Sequence, residues 1–449
     1  MTKSTVLKIL NKDNSIIYFS RGCPFYFYRH TLHRFSKLKK MLTPKEVALN
    51  IGVSYWTVLR MIKKGELRAL RTPGGHYRIP IYALEEQFTH LQHSRAYRER
   101  SSVEENIQAF RKYFTQDLAK ILEIMQSYQG LLTISDLARI LGLQVSSVWY
   151  KIKRLRAGGF AFGADIDHYK LGLIKLLVFL DRIISINDIP SAFLRYYAPI
   201  VPKGLFLIYY LPLNYDIDDI LKLLPKTFLE QYWVIEETYY SRPKYTLYYD
   251  FNKRTIVFNW LLMEKRYREK LGKVIFSKPE APTRIDLIDL LIAKELEKNP
   301  FISLRDIQVK IKMHGINLKY SRILRHFKNH LLGRGVIRGI RLRLVPLPSE
   351  YNTLFIAKLR GDQKSLHALA STLLEHPSFT ATYVAFKKNH VFIMGVVPFS
   401  EIVTLSAFME SIKGIDEAEI TLLDRNKRKA FTIPYTREFY HGKWILKFK

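Results

Sequence analysis

Residues Leu42–Pro80 read LTPKEVALNIGVSYWTVLRMIKKGELRALRTPGGHYRIP, and this stretch decides the fold of the N-terminal part of the chain. Thr43, Pro44 and Glu46 mark a helix start: a hydroxyl cap, a residue with φ already fixed, and a carboxylate three residues past the cap. Leu42, Val47, Ala48, Ile51, Val53, Val58, Met61 and Ile62 form the apolar set. Asn50-Ile51-Gly52-Val53 breaks the first helix, with Gly52 suited to a left-handed turn. Ser54 can cap a second helix that buries Val58, Met61 and Ile62. That helix leaves Tyr55, Trp56, Thr57, Arg60, Lys63 and Lys64 outside. Beyond it, Gly74-Gly75 allows a tight hairpin whose arms carry Arg71, Thr72, His76 and Arg78. A helix-turn-helix with a cationic second helix suits a DNA major groove, and a cationic hairpin beside it suits the phosphates.

On these residues the segment resembles the excisionase-type branch of the MerR-like winged helix domains. The resemblance implies that Ser54 to Arg60 read bases and that Arg71 to Arg78 hold the backbone. Trp56-Thr57 departs from the small polar pair usual there.

A second helical unit, LTISDLARILGLQVSSVWYKIKRL, spans 132–155. Thr133 can cap a helix with Leu137, Ile140 and Leu141 inward. Gly142 turns the chain, and the next helix is expected to bury Val145, Val148, Ile152 and Leu155. Ser146, Ser147, Trp149, Tyr150, Lys151, Lys153 and Arg154 are expected on or beside its outer face. The continuation from Gly158 offers a hairpin wing and then a strand. This unit resembles the Lrp/AsnC (leucine-responsive regulator) family over about 117–180, including the run from Asp167 to Leu173. A third unit at 304–332 repeats the outline. Asn317 can cap it, Tyr320, Ile323, Leu324, Phe327 and Leu331 are its expected inner side, and Lys319, Arg322, Arg325, His326 and Lys328 its outer side.

After each of these two units come strand-like runs. In the first body they are 171–181, 205–211, 232–240 and 245–251, with helical patterns at about 188–197 and 216–229 and a faint strand near 200–203. In the second body the order is β-α-β-β-α-β, a ferredoxin-like plan. It is similar to the Lrp/AsnC regulatory domain, which pairs sheets between subunits and in some members binds amino acids. The two halves, about 117–260 and 285–444, read as an internal duplication that ends alike, at Trp260 and Trp444. The expected fold class is α+β, with three winged helix-turn-helix heads and two ferredoxin-like sandwich domains. The expected boundaries are 1–40 (a poorly ordered basic extension), 41–88, 89–116 (linker), 117–168, 169–260, 261–284 (linker), 285–346 and 347–449.

Composition narrows the function classes. The 449 residues carry 72 Lys+Arg against 40 Asp+Glu, a net charge of +32. Folding does not require that imbalance, so a polyanionic partner explains it best, and double-stranded DNA is the expected one. Hydrophobic content of 48% allows true cores. The single cysteine, Cys23, excludes an intrachain disulfide and suits a reducing, cytoplasmic setting. No apolar run reaches the roughly 20 residues of a membrane helix.

Cys23, His30 and His33 lack a fourth ligand at ordinary spacing, and His90 and His93 read as a solvated face, so no metal is expected. Asp216, Asp218 and Asp219 fit a helix start. No phosphate-cradling loop or nucleophile motif is present, so no cofactor and no enzyme activity are expected. The expectation is a regulator of transcription, of archaeal type by the resemblances, that pairs as a homodimer or as an intrachain pseudo-dimer. An accessory factor for site-specific recombination and an architectural nucleic-acid-binding protein are the alternatives. The start at Thr43 directly after Met41 also suggests translation from Met41, which N-terminal mass measurement in the host decides.

Overall fold

The computed structural model describes residues 8–10, 16–18, 41–51, 55–65, 67–80, 114–222, 224, 229–272, 280–313, 315–348, 350–433, 435, 438–440 and 442–445. They fall into two compact units, within 1–102 and 103–449. No helix among the described residues is long and apolar enough to cross a membrane. The expected metal candidates Cys23, His30 and His33, together with His90, His93 and most of the 1–40 and 89–116 segments, lie outside the described residues.

The first unit opens with a two-stranded pair, β1 (Lys8–Leu10) and β2 (Ile16–Tyr18). The head follows as β3 (Met41–Leu42), α1 (Pro44–Ile51), α2 (Tyr55–Lys63), β4 (Leu70–Arg71) and β5 (Tyr77–Pro80). The helix start is the expected one. Glu46 N donates to Thr43 Oγ1 at 3.2 Å, and Thr43 N donates to Glu46 Oε2 at 2.8 Å, a reciprocal cap that stabilises such a start by about 1 kcal/mol. Leu42, Val47, Ala48, Val58, Leu67 and Ile79 form a private core, with Met61, Ile62 and Ala69 packed against it.

The second unit runs α3 (Gln116–Ser127), α4 (Ile134–Leu141), α5 (Val145–Ala157), β6 (Ala161–Ile166), β7 (Leu173–Leu180), a 3₁₀ turn (Ile186–Asp188), β8 (Leu194–Pro199), β9 (Leu205–Pro212), α6 (Ile217–Leu221), β10 (Leu229–Ile235), β11 (Glu237–Tyr240), α7 (Tyr245–Tyr248), β12 (Tyr249–Asp250), β13 (Thr255–Ile256) and α8 (Trp260–Lys270). It continues with α9 (Leu287–Lys298), α10 (Leu304–Met313), α11 (Tyr320–Arg325), a π-helical turn (His326–Leu332), β14 (Ile337–Leu344), β15 (Thr353–Gly361), α12 (Gln363–Leu373), β16 (Phe379–Ala385), β17 (His390–Val397), α13 (Glu401–Ser411), β18 (Ile415–Leu423), β19 (Lys429–Ala430), β20 (Phe439–Tyr440) and β21 (Lys443–Trp444).

Three expectations for the first body are corrected. The strand expected near 200–203 is β8, six residues earlier, where a helix was expected over 188–197. It pairs with β9, with a bulge between Leu194 and Tyr196. Of the helix expected over 216–229, the described residues hold α6, and Leu229 already begins β10. The strand expected over 245–251 begins as the helical turn α7, because Tyr245 and Tyr248 are both needed inside, and i, i+3 spacing faces them the same way only in a helix.

Two antiparallel sheets packed with helices make an α+β fold. The first sheet has the order β10-β7-β9-β8-β19 and the second β18-β15-β17-β16-β11. Each is four strands of its own body plus one strand from the other. β11 leaves the first body to pair with β16, and β19 leaves the second to pair with β8. The reciprocity extends further. β6, which follows the second head, pairs with β14, which follows the third. Trp260 lies against Phe408 of the second body (5.3 Å), and Trp444 against Phe193 of the first (5.7 Å).

The second sheet is buried on both faces. Leu354 and Ile356 of β15 enter the core shared with the first body, whereas Phe355, Ala357 and Leu359 enter a core beneath α8, α12 and α13. That explains the continuous apolar run Leu354–Ala357, whose successive side chains enter opposite cores. Between the sheets Phe179, Trp233 and Phe392 interlock, with Trp233 and Phe392 centroids 5.0 Å apart.

A buried ionic knot ties heads, bodies and tail together. Glu297 Oε1, at the end of α9, accepts from Arg195 (2.9 Å) of β8 and Arg341 (3.0 Å) of β14, and its Oε2 accepts from Tyr435 Oη (3.0 Å). Burial alone would raise the Glu297 carboxyl, but Arg195, His168 and Arg341 outweigh it and bring it down to about 2. Close by, Arg338 bridges Asp167 (2.7 Å) and Glu237 (2.8 Å).

Candidate nucleic-acid interface

In the first head, α2 turns its core side toward Val47 and its other side outward. Tyr55, Trp56, Arg60, Lys63 and Lys64 are exposed, Trp56 by 75%. Tyr55 and Trp56 meet edge to face at 5.6 Å, which braces an indole that would otherwise stand alone in water. Ser54 and the side chain of Thr57 lie outside the described residues.

The hairpin forms as the glycine pair requires. Gly75 has φ 79°, and Thr72 N donates to His76 O at 2.8 Å. His76 N donates to Thr72 Oγ1 at 3.1 Å, so Thr72 builds the turn. Leu70 stands opposite Arg78 and Arg71 opposite Tyr77. Arg71, Gly74, Gly75 and His76 are exposed, and Arg78 is half-buried. The result is a basic helix and a basic wing on one small core, a pairing of shapes that fits a groove and its flanking phosphates.

In the second head, Asp136 N and Thr133 Oγ1 form a second reciprocal cap, and Gly142 takes φ 63° at the turn. Val148, Ile152 and Leu155 of α5 are buried as expected. Val145 and Ile140 are instead 49% and 47% exposed. Ser146, Trp149, Tyr150 and Lys153 are exposed, while Ser147 and Arg154 are half-buried. Lys151 Nζ is held by Asp117 at 3.3 Å. The expected local wing is corrected: β6 has no hairpin partner of its own and pairs with β14.

In the third head, Lys319, Arg322, Arg325 and Lys328 are exposed. Lys319, not Asn317, precedes the helix as its cap residue, and it makes no side-chain cap bond. Tyr320, expected inside, is 41% exposed. His326, expected outside among the DNA contacts, is 2% exposed and bonded to Asp289 of α9 at 2.8 Å, so it is no surface group. The spacing of His326 and His330 carried that signal, since i and i+4 share a helix face.

Comparison with known proteins places two of these heads. The family described as "Helix-turn-helix domain" matches residues 41–88, and the family described as "Winged helix-turn-helix DNA-binding" matches 119–160. No curated protein matches the chain in sequence. Among solved structures, the siroheme decarboxylase NirDL is 14% identical with a TM-score of 0.44, over 69% of this chain and 91% of that one. AsnC of E. coli is 16% identical with a TM-score of 0.27, over 33% and 99%. A transcriptional regulator from Neisseria meningitidis in complex with L-methionine is 16% identical with a TM-score of 0.27, over 34% and 97%.

Proposed function

We propose that the chain is a sequence-specific DNA-binding transcription regulator that docks α2 in a major groove and lays the Arg71–Arg78 hairpin along the phosphates. The observation that carries this reading is the first head itself: the exposed face of α2 with Tyr55, Trp56, Arg60 and Lys63, beside a basic hairpin on the same core. Arg60 is the base reader, and Arg71, His76 and Arg78 are the backbone holders. The second and third heads add phosphate contacts through Lys153, Arg154, Lys319, Arg322 and Arg325, consistent with the net charge of +32. The reading is of a binding protein and not an enzyme.

The reading includes an intrachain pseudo-dimer built from two copies of a head plus body. The matching strand orders, the exchange of β11 and β19 and the β6–β14 pair support it. Selection of bound sequences from a random DNA pool tests the function. Recovery of one motif, with enrichment at few upstream sites across a genome, is the expected result. A flat profile, or unchanged DNA affinity in both Arg60→Ala and Arg78→Ala, would overturn it.

A further inference from the structure

Inside the third head, one acid and two imidazoles converge on a point that the DNA-facing residues do not use. Asp289 of α9 is fully buried. Its Oδ1 lies 2.8 Å from His326 Nδ1 and 3.0 Å from His330 Nδ1, and its Oδ2 lies 3.2 Å from His330 Nδ1. One donor atom from each residue falls within 4.8 Å of the others.

Helix geometry places the pair. His326 and His330 are four residues apart in the π-helical turn His326–Leu332, so their rings lie on one face and meet edge to face, with centroids 4.5 Å apart. Two histidines at i and i+4 are a spacing that grips a zinc ion from one helix, and the third ligand then comes from a neighbouring element. Isolated π-turns concentrate at functional sites. Asp289 is also oriented from behind, since its Oδ2 accepts the Asp286 backbone N–H at 3.0 Å, the kind of support that fixes a ligand carboxylate.

A purely structural role fits the cluster poorly. Both imidazoles present Nδ1 to the same carboxylate, so without an ion two N–H groups converge on one oxygen. Metal–nitrogen and metal–oxygen bonds of roughly 2.0–2.2 Å set donors about 3–3.5 Å apart, close to the separations already present.

We propose that Asp289, His326 and His330 form a binding site for a divalent transition ion of the zinc class. The N₂O donor set selects such an ion over magnesium or calcium, which take oxygen ligands. His330, whose side chain is 24% exposed, opens the site to solvent and leaves a fourth position for water. Occupancy clamps the π-turn onto α9. The turn continues the helix that carries Arg322 and Arg325, so the ion fixes the inner side of that helix.

The test uses the full chain after chelator stripping, with Zn²⁺ titrated calorimetrically and Co²⁺ followed by its visible absorption. Zn²⁺ binding at one equivalent, tetrahedral-type Co²⁺ bands and no response to Mg²⁺ are expected. His330→Gln keeps a hydrogen-bond donor toward Asp289 but removes the ligand, and should weaken Zn²⁺ binding at least about 10-fold. His390→Ala, in the second body, should leave binding unchanged. Absence of a stoichiometric site, or equal Zn²⁺ affinity in His330→Gln and the parent chain, overturns the proposal.

Discussion

The first head and the two later heads solve the same problem in opposite ways. The first carries its own six-residue core and closes its own hairpin between Leu70 and Pro80. The second and third have no such closure. The strand after each pairs with the strand after the other, and α9 ends in the Glu297 knot that reaches β8, β14 and Tyr435. A module stabilised by local contacts is portable. A module stabilised by its counterpart is fixed in place, and its surface groups inherit that placement.

The largest test of this contrast is Glu297→Ala. It strands Arg195 and Arg341 without their shared carboxylate, and breaking one partner of a buried ion pair costs about 3–5 kcal/mol. Residues 103–449 of the full-length variant should unfold many degrees earlier, while amide-exchange protection of residues 41–80 in the same chain stays as in the parent. Equal loss in both would erase the distinction.

Acid should act on the same side. The folded Glu297 carboxyl titrates at about 2 against an ordinary 4.5, so its contribution is complete above pH 4.5 and is lost as pH falls toward 2, about 3 kcal/mol in all. His376, lowered to about 3 by burial, works in the same direction from a higher starting point: the unfolded chain takes up its proton below pH 6.5 while the folded chain does not. Denaturant midpoints measured from pH 7 down to pH 3 should therefore fall steadily. A flat profile would show that these groups are not buried.

Gly163→Ala is milder. A methyl there meets the Glu297 carbonyl oxygen and the Arg343 side chain, so the β6–α9 seam must open, at about 1–3 kcal/mol. Chemical denaturation should show the loss, and an unchanged midpoint would mean the seam is slack. Smallest for stability, and confined to binding, are the first-head substitutions. Arg60→Ala should cost about 1–3 kcal/mol of affinity and relax one base position, while Arg78→Ala should weaken all sequences alike and lower the salt slope by about 1. Fluorescence anisotropy across salt concentrations separates the two.

What could be read from the sequence follows the same division. Thr43 with Glu46, Thr133 as a cap, and Gly74-Gly75 are local devices whose position states their purpose, and each is found as read; the Asp136 half of the second cap is an addition of the structure. The second body's strand and helix order was legible for the same reason, since its two helices and alternating strands carry clear periods. The failures are non-local. Nothing near residues 161–166 announces a partner at 337–344. Val145 and Tyr320 fit an inner stripe by period, yet their neighbours turn elsewhere. His326 reads as one more basic surface group unless its four-residue spacing to His330 is noticed, and its partner Asp289 lies thirty-seven residues upstream.

The strand exchange also bears on how the chain comes off the ribosome. The first body's sheet lacks its edge until Lys429 and Ala430 arrive to pair with Tyr196 and Tyr197. Trp444, whose indole nitrogen donates to Leu171 O at 2.7 Å, arrives later still. The first head can fold early in synthesis. The first body must wait, with an open strand edge, for a partner strand made far downstream of it, so it is a stretch of the nascent chain in need of protection.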